Sequence, residues 1–362
     1  MEYNLVYPQS QKASYGPSDV IDFLLTFAGK SIVRNSIRLS GVLNVYATTN
    51  PNDPVNAQRI YYDATVGIHS FLNNVVVSTQ KQGILENQSD YGRYVKMKNN
   101  AFKTDEQMIT SGNLLNDLTM TDSTLTNKYM TDALPFYTKP DICFNNATGN
   151  IDNSKTGDVK ISLRLSNVLE CLFGPDITPN ATYQISSLAL EYRTTAEMKQ
   201  PITMVIKQSA KQVVNSTNST INIQLPAVVY SVCSSFMRVA EELQLTFNNL
   251  ATEQPPNITK LYYSFNNTTG QYIGYPIESL QDMLQHYIES FHAVDGIVGR
   301  YNDNKNNMTN RLVNDNQAFG IGLDFSDSVS LMTANFGVNL LSGVQSDDPY
   351  YIWLFFHSIA NL

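Results

Sequence analysis

The sequence has little charge and no cluster of positive charge. Charged residues make up 15% of the chain, and 24 Lys and Arg stand against 32 Asp and Glu, which gives a formal net charge of −8. Soluble domains usually contain about 25% charged residues. Proteins that bind nucleic acid display clustered cationic side chains that neutralise phosphates. The composition therefore argues against direct binding of DNA or RNA.

The sequence also lacks a long apolar run and a cysteine framework. No stretch reaches the length of a membrane span, and the start, Met1-Glu2-Tyr3-Asn4, has neither the basic residues nor the apolar stretch of a secretory signal. Cys143, Cys171 and Cys233 fit neither a zinc motif nor a small disulfide framework. We therefore expect synthesis in the cytosol and three reduced, mostly buried thiols.

Signatures of catalysis are missing as well. No phosphate-loop lysine motif and no Gly-x-Ser-x-Gly elbow occurs, and Gly320-x-Gly322 lacks the third glycine of a dinucleotide site. His286 and His292 are six residues apart, a spacing that does not place two imidazoles on one helical face. Neighbours in sequence, Glu241-Glu242 and Asp347-Asp348, cannot converge across a cleft as a glycosidase pair must. We predict no enzymatic activity, no catalytic residue, no cofactor and no metal site.

Other polar features favour structural roles. His69 and His357 lie in predicted strands, where we expect hydrogen-bonded structural histidines. Asp303-Asn304-Lys305-Asn306-Asn307 offers oxygen ligands, but it lacks the terminal glutamate and the spacing of a helix-loop-helix calcium site, so we interpret it as an exposed turn. The apolar stripe at 277–291, with Pro276 at the first helical position, has almost no cation to attract anionic lipid, which favours a helix packed against a sheet.

What the sequence does contain is alternation of apolar and polar residues with a period of two. Ile37, Leu39, Gly41, Leu43 and Val45 share one side of a predicted strand at 32–48. Similar alternation predicts strands at 159–165, 185–192, 202–207 and 321–326 and a hairpin at 213–225. The run at 350–356 is apolar on both faces, which predicts a strand buried between layers or between subunits.

The chain divides into two β-rich halves. Arg59-Ile60-Tyr61-Tyr62-Asp63 in the first half is echoed by Lys260-Leu261-Tyr262-Tyr263-Ser264 in the second, which suggests a duplication. The polar segment 194–201 ends in proline, as interdomain linkers commonly do. We predict an all-β fold with a few short helices, built from an N-terminal arm at 1–17 and two β-sandwiches in tandem at 18–198 and 199–362.

Short stretches in both halves resemble viral coat proteins. Gly67-Ile68-His69-Ser70-Phe71, Gly83-Ile84-Leu85-Glu86 and Tyr91-Gly92-Arg93-Tyr94 resemble part of the first jelly roll of double jelly-roll capsid proteins. This is the lineage of tectiviruses, adenoviruses, virophages and Polinton-like viruses, and the likeness is nearest to the last two. Closing strands of such proteins are similar to Phe319-Gly320-Ile321-Gly322-Leu323-Asp324-Phe325 and to Tyr350-Tyr351-Ile352-Trp353-Leu354-Phe355-Phe356-His357-Ser358.

The resemblance implies two eight-stranded jelly rolls and a structural role as a major capsid protein in the virion shell. Three copies would form a pseudo-hexagonal capsomer of an icosahedral virion, with neighbouring capsomers, penton and minor capsid proteins as partners. It leaves open whether an internal viral membrane lies under the shell, and whether the role is major or minor. We expect the polar loops at 145–157, 215–220 and 302–310 on the outer surface and the arm at 1–17 beneath the shell.

Two other function classes stay open at the level of sequence. One is a carbohydrate- or receptor-binding β-sandwich, such as a spike or lectin-like module, which would carry a clustered aromatic platform at one loop end. A coat protein would instead carry apolar strips along the sides of its sandwiches. The other class is a jelly-roll carbohydrate-active enzyme, which would need two carboxylates about 5–10 Å apart in a cleft.

Overall fold

The computed structural model describes residues 1–46, 60–63, 65–102, 127–129, 133–224, 229–266, 272–277, 280–291, 319–324 and 335–362. The strands are β1 Glu2–Val6, β2 Ser14–Tyr15, β3 Val20–Leu25, β4 Lys30–Ile32, β5 Arg38–Tyr46, β6 Tyr61–Asp63, β7 Leu72–Thr79, β8 Gly83–Gln88, β9 Asn127–Tyr129, β10 Leu134–Thr138, β11 Ile151–Asp152, β12 Val159–Leu165, β13 Thr182–Ala196, β14 Thr203–Val214, β15 Asn218–Gln224, β16 Val229–Arg238, β17 Lys260–Asn266, β18 Tyr272–Ile277, β19 Ile321–Asp324, β20 Asn335–Leu341 and β21 Tyr350–Asn361. The helices are α1 Tyr91–Phe102, α2 Asn153–Thr156, α3 Val168–Cys171 and α4 Leu280–Glu289, with 3-10 turns at Gly67–Phe71, Cys143–Asn146 and Val239–Glu241.

The first sandwich consists of two sheets whose apolar faces meet. One sheet contains the strand order β1-β13-β5-β10, extended by the short β2, β4 and β11, and the other contains β3-β12-β7-β8. The predicted alternation is confirmed in β5, where Leu39, Leu43 and Val45 are buried while Arg38 and Asn44 are partly exposed. One face of each strand therefore supplies the core, as a two-layer sandwich requires.

The second sandwich repeats this arrangement. Its sheets have the orders β14-β21-β16-β19 and β15-β20-β17-β18. The principal strands are β1, β3, β5, β7, β8, β10, β12 and β13 in the first sandwich and β14 to β21 in the second. When each set of eight is numbered along the chain, both sandwiches have one sheet in the order first-eighth-third-sixth and one in the order second-seventh-fourth-fifth. The predicted fold class, two equivalent β-sandwiches in tandem with a few short helices, is confirmed.

A single continuous sheet joins the two sandwiches. β8, the fifth principal strand of the first sandwich, runs parallel to β14, the first strand of the second, and the two meet at Asn87 and Gln208. The result is one eight-stranded sheet in the order β19-β16-β21-β14-β8-β7-β12-β3. Half of this sheet closes each core.

The strand β21 is buried on both faces, as the sequence predicts. Tyr350, Ile352, Leu354 and Phe356 face the core of the second sandwich. The alternate residues, Trp353 and Phe355, pack in a separate cluster with residues of β16, of α1, of α4 and of the segment that follows α4. The other members are Tyr94, Met97, Ala101, Cys233, Met237, Tyr287, Ile288 and Phe291. Two helices therefore cover the outer face of β14-β21-β16-β19.

The pair Gly320-x-Gly322 serves packing. An added Cβ at Gly320 would collide with the Tyr287 ring, and one at Gly322 would collide with Ser290. The two glycines therefore allow α4 and the residues after it to approach β19 closely. The predicted packing of this helix on a sheet is confirmed, but the prediction that Pro276 begins it is wrong. Pro276 lies in the edge strand β18 opposite Tyr262, a position where a missing N–H is tolerated.

Other sequence-based expectations are corrected by the pairing of strands. The Tyr-Tyr echo does not mark equivalent strands, because Tyr61–Asp63 pairs with the short β9 whereas Lys260–Asn266 is the fourth principal strand of the second sandwich. The hairpin at 213–225 is also wrong. β14 pairs with β21 and β15 pairs with β20, so the polar turn between them connects two sheets.

The segments predicted as an arm and as an outer loop both have ordered positions. Within 1–17, β1 and β2 pair with one edge of the long β13, whose other edge is paired with β5 and β4. Within 145–157, Asn145 is buried and bonds the backbone of Ile37, and Asp152 and Thr156 are also buried. The predicted boundary at 198–199 falls between β13 and β14; the domain limits stay a prediction. The loop at 302–310 and the turn at 303–307 lie outside the described residues.

Candidate functional site at the junction of the two sandwiches

The junction of the sandwiches contains a buried cluster of charged side chains. Lys207 of β14 is fully buried and donates to Asp141 Oδ1 at 2.8 Å and to the Asp141 carbonyl at 2.6 Å. Its ammonium lies 3.5 Å from Oε1 of Glu86 on β8. Lys98 of α1 reaches the other Asp141 oxygen at 3.1 Å. Two ammonium groups and two carboxylates thus face one another across the junction.

Backbone donors complete the coordination of the two carboxylates. Glu86 accepts from the backbone N–H of Lys207 at 3.1 Å and from that of Cys143 at 2.7 Å. Lys207 and Lys98 hold the pKa of Asp141 well below its usual range despite burial. Burial raises the pKa of Glu86, and its contact with Lys207 opposes that shift. A buried ion is tolerated only when it is paired and hydrogen-bonded, and these groups meet that condition.

A second buried ion pair lies within the first sandwich, and a side chain of the second sandwich bonds to it. Asp63 of β6 accepts from Lys96 of α1 at 2.5 Å, and both side chains are buried. Asn248, from the segment between β16 and β17 of the second sandwich, donates to the same Asp63 carboxylate at 2.8 Å. Thr65 supplies its backbone N–H at 2.9 Å and its hydroxyl at 2.6 Å. Asp63 therefore connects both sandwiches through a fully satisfied carboxylate.

Arg93 of α1 fixes the helix to the second sandwich. Its guanidinium lies 3.7 Å from the centre of the Trp353 ring, an arrangement typical of a cation–π contact. It also donates to the backbone carbonyl of Ala251 at 2.7 Å and to that of Asn249. Burial lowers the pKa of Arg93 to about 10, so the side chain keeps its charge at neutral pH. Main-chain carbonyls and a ring face supply its stabilisation.

The buried histidines hold structural hydrogen bonds, as the sequence predicts for His69 and His357. His357 lies in a strand, β21, as predicted, but the predicted strand at His69 is wrong, because His69 lies in the 3-10 turn Gly67–Phe71. The ring nitrogens of His69 lie 3.0 Å from the Tyr91 hydroxyl and 2.9 Å from that of Thr138. His357 lies 3.1 Å from the Tyr94 hydroxyl through Nε2 and 3.0 Å from the Ser290 carbonyl through Nδ1. His286 instead approaches Glu289 one turn later on α4, and His292 lies outside the described residues.

We expect acid to destabilise the protein through His357. Burial lowers its pKa from 6.5 to about 3. Between these values the unfolded chain binds a proton that the folded chain excludes, so stability falls as the pH falls, by at most about 1.4 kcal/mol per pH unit. The variant His357→Gln does not titrate. Its unfolding free energy, measured by denaturant titration from pH 7 to pH 5, should depend less on pH than that of the wild type, and equal slopes would contradict the prediction.

The adjacent carboxylates are partly buried rather than uniformly solvated. Asp347 is exposed, as expected, but Glu242 forms an ion pair with Lys211. Burial and the contact with Glu241 raise the pKa of Glu253 to about 8, while Arg238 opposes the shift. Carboxyl groups this close together do not provide the separated acid and base of a glycosidase.

The described part of the chain offers little enclosed space for a ligand. One cavity of about 90 Å³ lies beside Arg93 and Trp353. Pockets for drug-sized ligands usually measure about 300–1,000 Å³. Across the described residues, no group of three His, Cys, Asp or Glu side chains is placed to hold a metal ion. No described helix is both long and apolar enough to cross a bilayer. Cys143, Cys171 and Cys233 are free and buried, as predicted.

Comparison with solved structures, rather than with sequences, shows the fold of this chain. No protein-family model and no curated protein sequence matches the chain. The Faustovirus major capsid protein superposes with a TM-score of 0.64 at 9% identity, over 100% of this chain and 90% of that chain. The chain has the double jelly-roll fold of viral major capsid proteins. A chain of the Sputnik virophage structure gives 0.60 at 10% identity over 100% and 86% of the chains, and the mavirus major capsid protein gives 0.52 at 11% over 99% and 90%.

Sequence reasoning missed the charged residues that join the two jelly rolls. Lys207 closes the predicted strand at 202–207, and Glu86 follows an apolar pair in a resembling stretch, yet no partner is visible in sequence. The separation between Lys207 and Asp141 is 66 residues, and that between Lys207 and Glu86 is 121. A charge placed within an apolar strand was the available signal, and identifying its partner needed the tertiary structure.

Proposed function

We propose that the chain is a structural major capsid protein, which forms pseudo-hexagonal homotrimeric capsomers in the shell of an icosahedral virion. The observation that carries the proposal is the tandem of two sandwiches with identical strand order, joined through one continuous sheet. Two equivalent modules in one chain give a trimer six similar modules, the number needed to fill a hexagonal lattice position. The superpositions with the Faustovirus and mavirus major capsid proteins support the same function.

The distribution of aromatic side chains favours a coat protein over the carbohydrate-binding alternative. The largest fully buried side chains are mostly aromatic and include Trp353, Tyr91, Tyr94 and Tyr287. Exposed Tyr3 lies on β1, along the side of the first jelly roll. An apolar strip on the side of a sandwich fits contact between subunits, whereas a sugar site requires rings gathered at a loop end.

The buried ion cluster supports a structural role without catalysis. Lys207, Asp141 and Glu86 are enclosed between two jelly rolls, where substrate has no access to them, and they hold the modules in a fixed relation. Neighbouring capsomers, penton proteins and minor capsid proteins are the proposed partners in the shell. The net charge of −8 supports a protein that does not itself bind the genome.

We expect the purified chain to be a trimer in solution. Light scattering should give a mass near three times the chain mass of 40.5 kDa, and negative-stain images should show a pseudo-hexagonal outline. The physical reason is that an exposed apolar strip is stabilised when a second copy covers it. A monomer that stays monomeric at about 10 µM and above would overturn the proposed function and favour the binding-module alternative.

A further inference from the structure

The buried ion cluster at the junction brings an amine and a carboxyl group into reacting distance. Nζ of Lys207 lies 2.8 Å from Oδ1 of Asp141, and the Lys207 side chain is 0% exposed. Groups held about 3–3.5 Å apart in a fixed orientation react as if they were at very high concentration. The enclosure also keeps bulk water away, so an amide formed between these two side chains would be protected from hydrolysis.

A second carboxyl group is placed to move protons. Oε1 of Glu86 lies 3.5 Å from Nζ of Lys207, and the side chain of Glu86 is also 0% exposed. Lysine becomes a nucleophile only after it has lost a proton, and desolvation of the ammonium favours that loss. Burial raises the pKa of Glu86, which favours transfer of the proton to its carboxylate. Glu86 therefore provides the proton acceptor that Lys207 needs.

Hydrogen-bond donors surround the carboxylate of Asp141. Nζ of Lys98 lies 3.1 Å from Oδ2, and Nδ2 of Asn146 donates to Oδ1 at 2.6 Å. Such donors stabilise the negative charge that builds up on the oxygens when an amine adds to the carbon. Despite burial, the neighbouring ammonium groups hold the pKa of Asp141 well below its usual range, so the group that reacts is the carboxylate.

We propose that Lys207 and Asp141 condense to an amide in the folded chain, with Glu86 as the group that moves the protons. A bond forms between Nζ of Lys207 and Cγ of Asp141, and the bond between Cγ and one carboxylate oxygen breaks. Two protons of the ammonium pass to that oxygen by way of Glu86, and the oxygen leaves as water. The third proton stays on the amide nitrogen. Ammonium and carboxylate together contain the atoms and the charge of amide and water, so the step needs no co-reactant.

The amide would join the two jelly rolls covalently. Asp141 precedes the 3-10 turn Cys143–Asn146 of the first jelly roll, and Lys207 lies on β14 of the second. The two positions are 66 residues apart, and closing a loop of this kind stabilises a fold by restricting the unfolded chain. The three cysteines are free, so no disulfide provides such a link. The inference concerns the inside of one chain and goes beyond the proposed function, on which it does not depend.

The second buried ion pair serves as a control within the same molecule. Nζ of Lys96 lies 2.5 Å from Oδ2 of Asp63, and the two side chains are at most 1% exposed. The further hydrogen bonds to this carboxylate in the described structure come from the neutral residues Asn248 and Thr65. If proximity and burial were sufficient, both pairs would condense. If a proton carrier such as Glu86 is required, only the pair at the junction will.

Mass spectrometry of the purified, denatured wild-type chain tests the proposal. The measured mass should be lower than the sequence mass by one water molecule. Tryptic digestion should give a branched peptide in which Lys207 is joined to Asp141, which distinguishes this loss from dehydration at another residue. We expect no branched peptide that joins Lys96 to Asp63.

Two variants separate the role of Glu86 from a general effect of removing a carboxylate. Glu86→Gln should retain the full sequence mass, because loss of a general acid–base group slows such a step by about 100-fold or more. The matched control is Glu242→Gln, which removes a carboxylate paired with the partly exposed Lys211, and it should lose water as the wild type does. Circular dichroism should show the same strand content in the wild type and both variants.

The wild-type peptide map decides the inference even if Glu86→Gln fails to fold. A wild-type chain with the full sequence mass, or a branched peptide that contains Lys98 in place of Lys207, would overturn it. Equal cross-linking in folded Glu86→Gln and in the wild type would overturn the role of Glu86. The mass of the assembled particle in light scattering is a separate measurement, so the proposed function stands or falls independently.

Discussion

The variant Lys207→Met should lower the free energy of unfolding by about 3 kcal/mol. Removing one partner of a buried ion pair costs about 3–5 kcal/mol, because the remaining charge stays buried without compensation. Here Lys207 contacts both Asp141 and Glu86, and its own side chain is fully buried. Lys98 still neutralises part of the Asp141 charge, and protonation of Glu86 relieves part of the rest. The expected effect therefore lies near the lower end of that range.

The control for this prediction is Lys211→Met on the same strand. Lys211 also forms an ion pair, with Glu242, but its side chain is 32% exposed. It stacks on the Tyr351 ring, with Nζ 3.8 Å from the ring centre. Solvent weakens such pairs, so we expect a loss of about 1 kcal/mol or less. Denaturant titration of both variants at pH 7 makes the comparison, and equal losses would show that burial of the Lys207 cluster contributes little.

Replacing Trp353 with alanine should cost about 3–5 kcal/mol of unfolding free energy. Trp353 is 2% exposed, and its side chain lies between the sheet that contains β21 and the helix α1. Its removal therefore leaves a cavity in the cluster beneath the helices. The change also removes the ring face that Arg93 contacts, and the buried guanidinium loses that stabilisation. We expect lower protection from hydrogen exchange in α1 before the cores of the two jelly rolls are affected.

The matched control is Tyr351→Ala, two residues earlier on the same face of β21. Tyr351 is partly exposed, and its ring centre lies 5.4 Å from that of Trp353. Because a half-buried side chain loses less area on truncation, we expect a cost of about 1–2 kcal/mol. Thermal melts report the loss of stability, and hydrogen exchange reports the loss of protection in α1. If Trp353→Ala melts at the same temperature as Tyr351→Ala, the cluster between α1 and β21 is not a major source of stability.

Local pattern was sufficient for the strands that bury one face. The alternation of Leu39, Leu43 and Val45 fixed the inward side of β5, and the apolar run at 350–356 identified β21 as buried on both faces. Pairing across long distances was beyond local pattern. β14 and β15 are neighbours in sequence but pair with β21 and β20, because a jelly roll sends consecutive strands to opposite sheets.

The position of the N-terminal segment also depended on tertiary structure. The sequence predicts an arm at residues 1–17, since a polar segment before the first strong alternation carries no sign of its partner. The long β13 offers the edge that β1 fills, and this pairing turns Tyr3 and Leu5 outward. Sequence gave these residues no more weight than other exposed apolar side chains.

By itself the sequence determined the all-β class, the division into two sandwiches and the resemblance to double jelly-roll capsid proteins, because period-two alternation and composition are local properties. Only the tertiary structure decided how the halves join. The meeting of Lys207 with Glu86 and Asp141 depends on contacts across 66 residues or more. So does the difference between the covered face of β21 and the bare face of β1. Such contacts arise from topology, and a linear pattern does not encode which distant groups will share one buried volume.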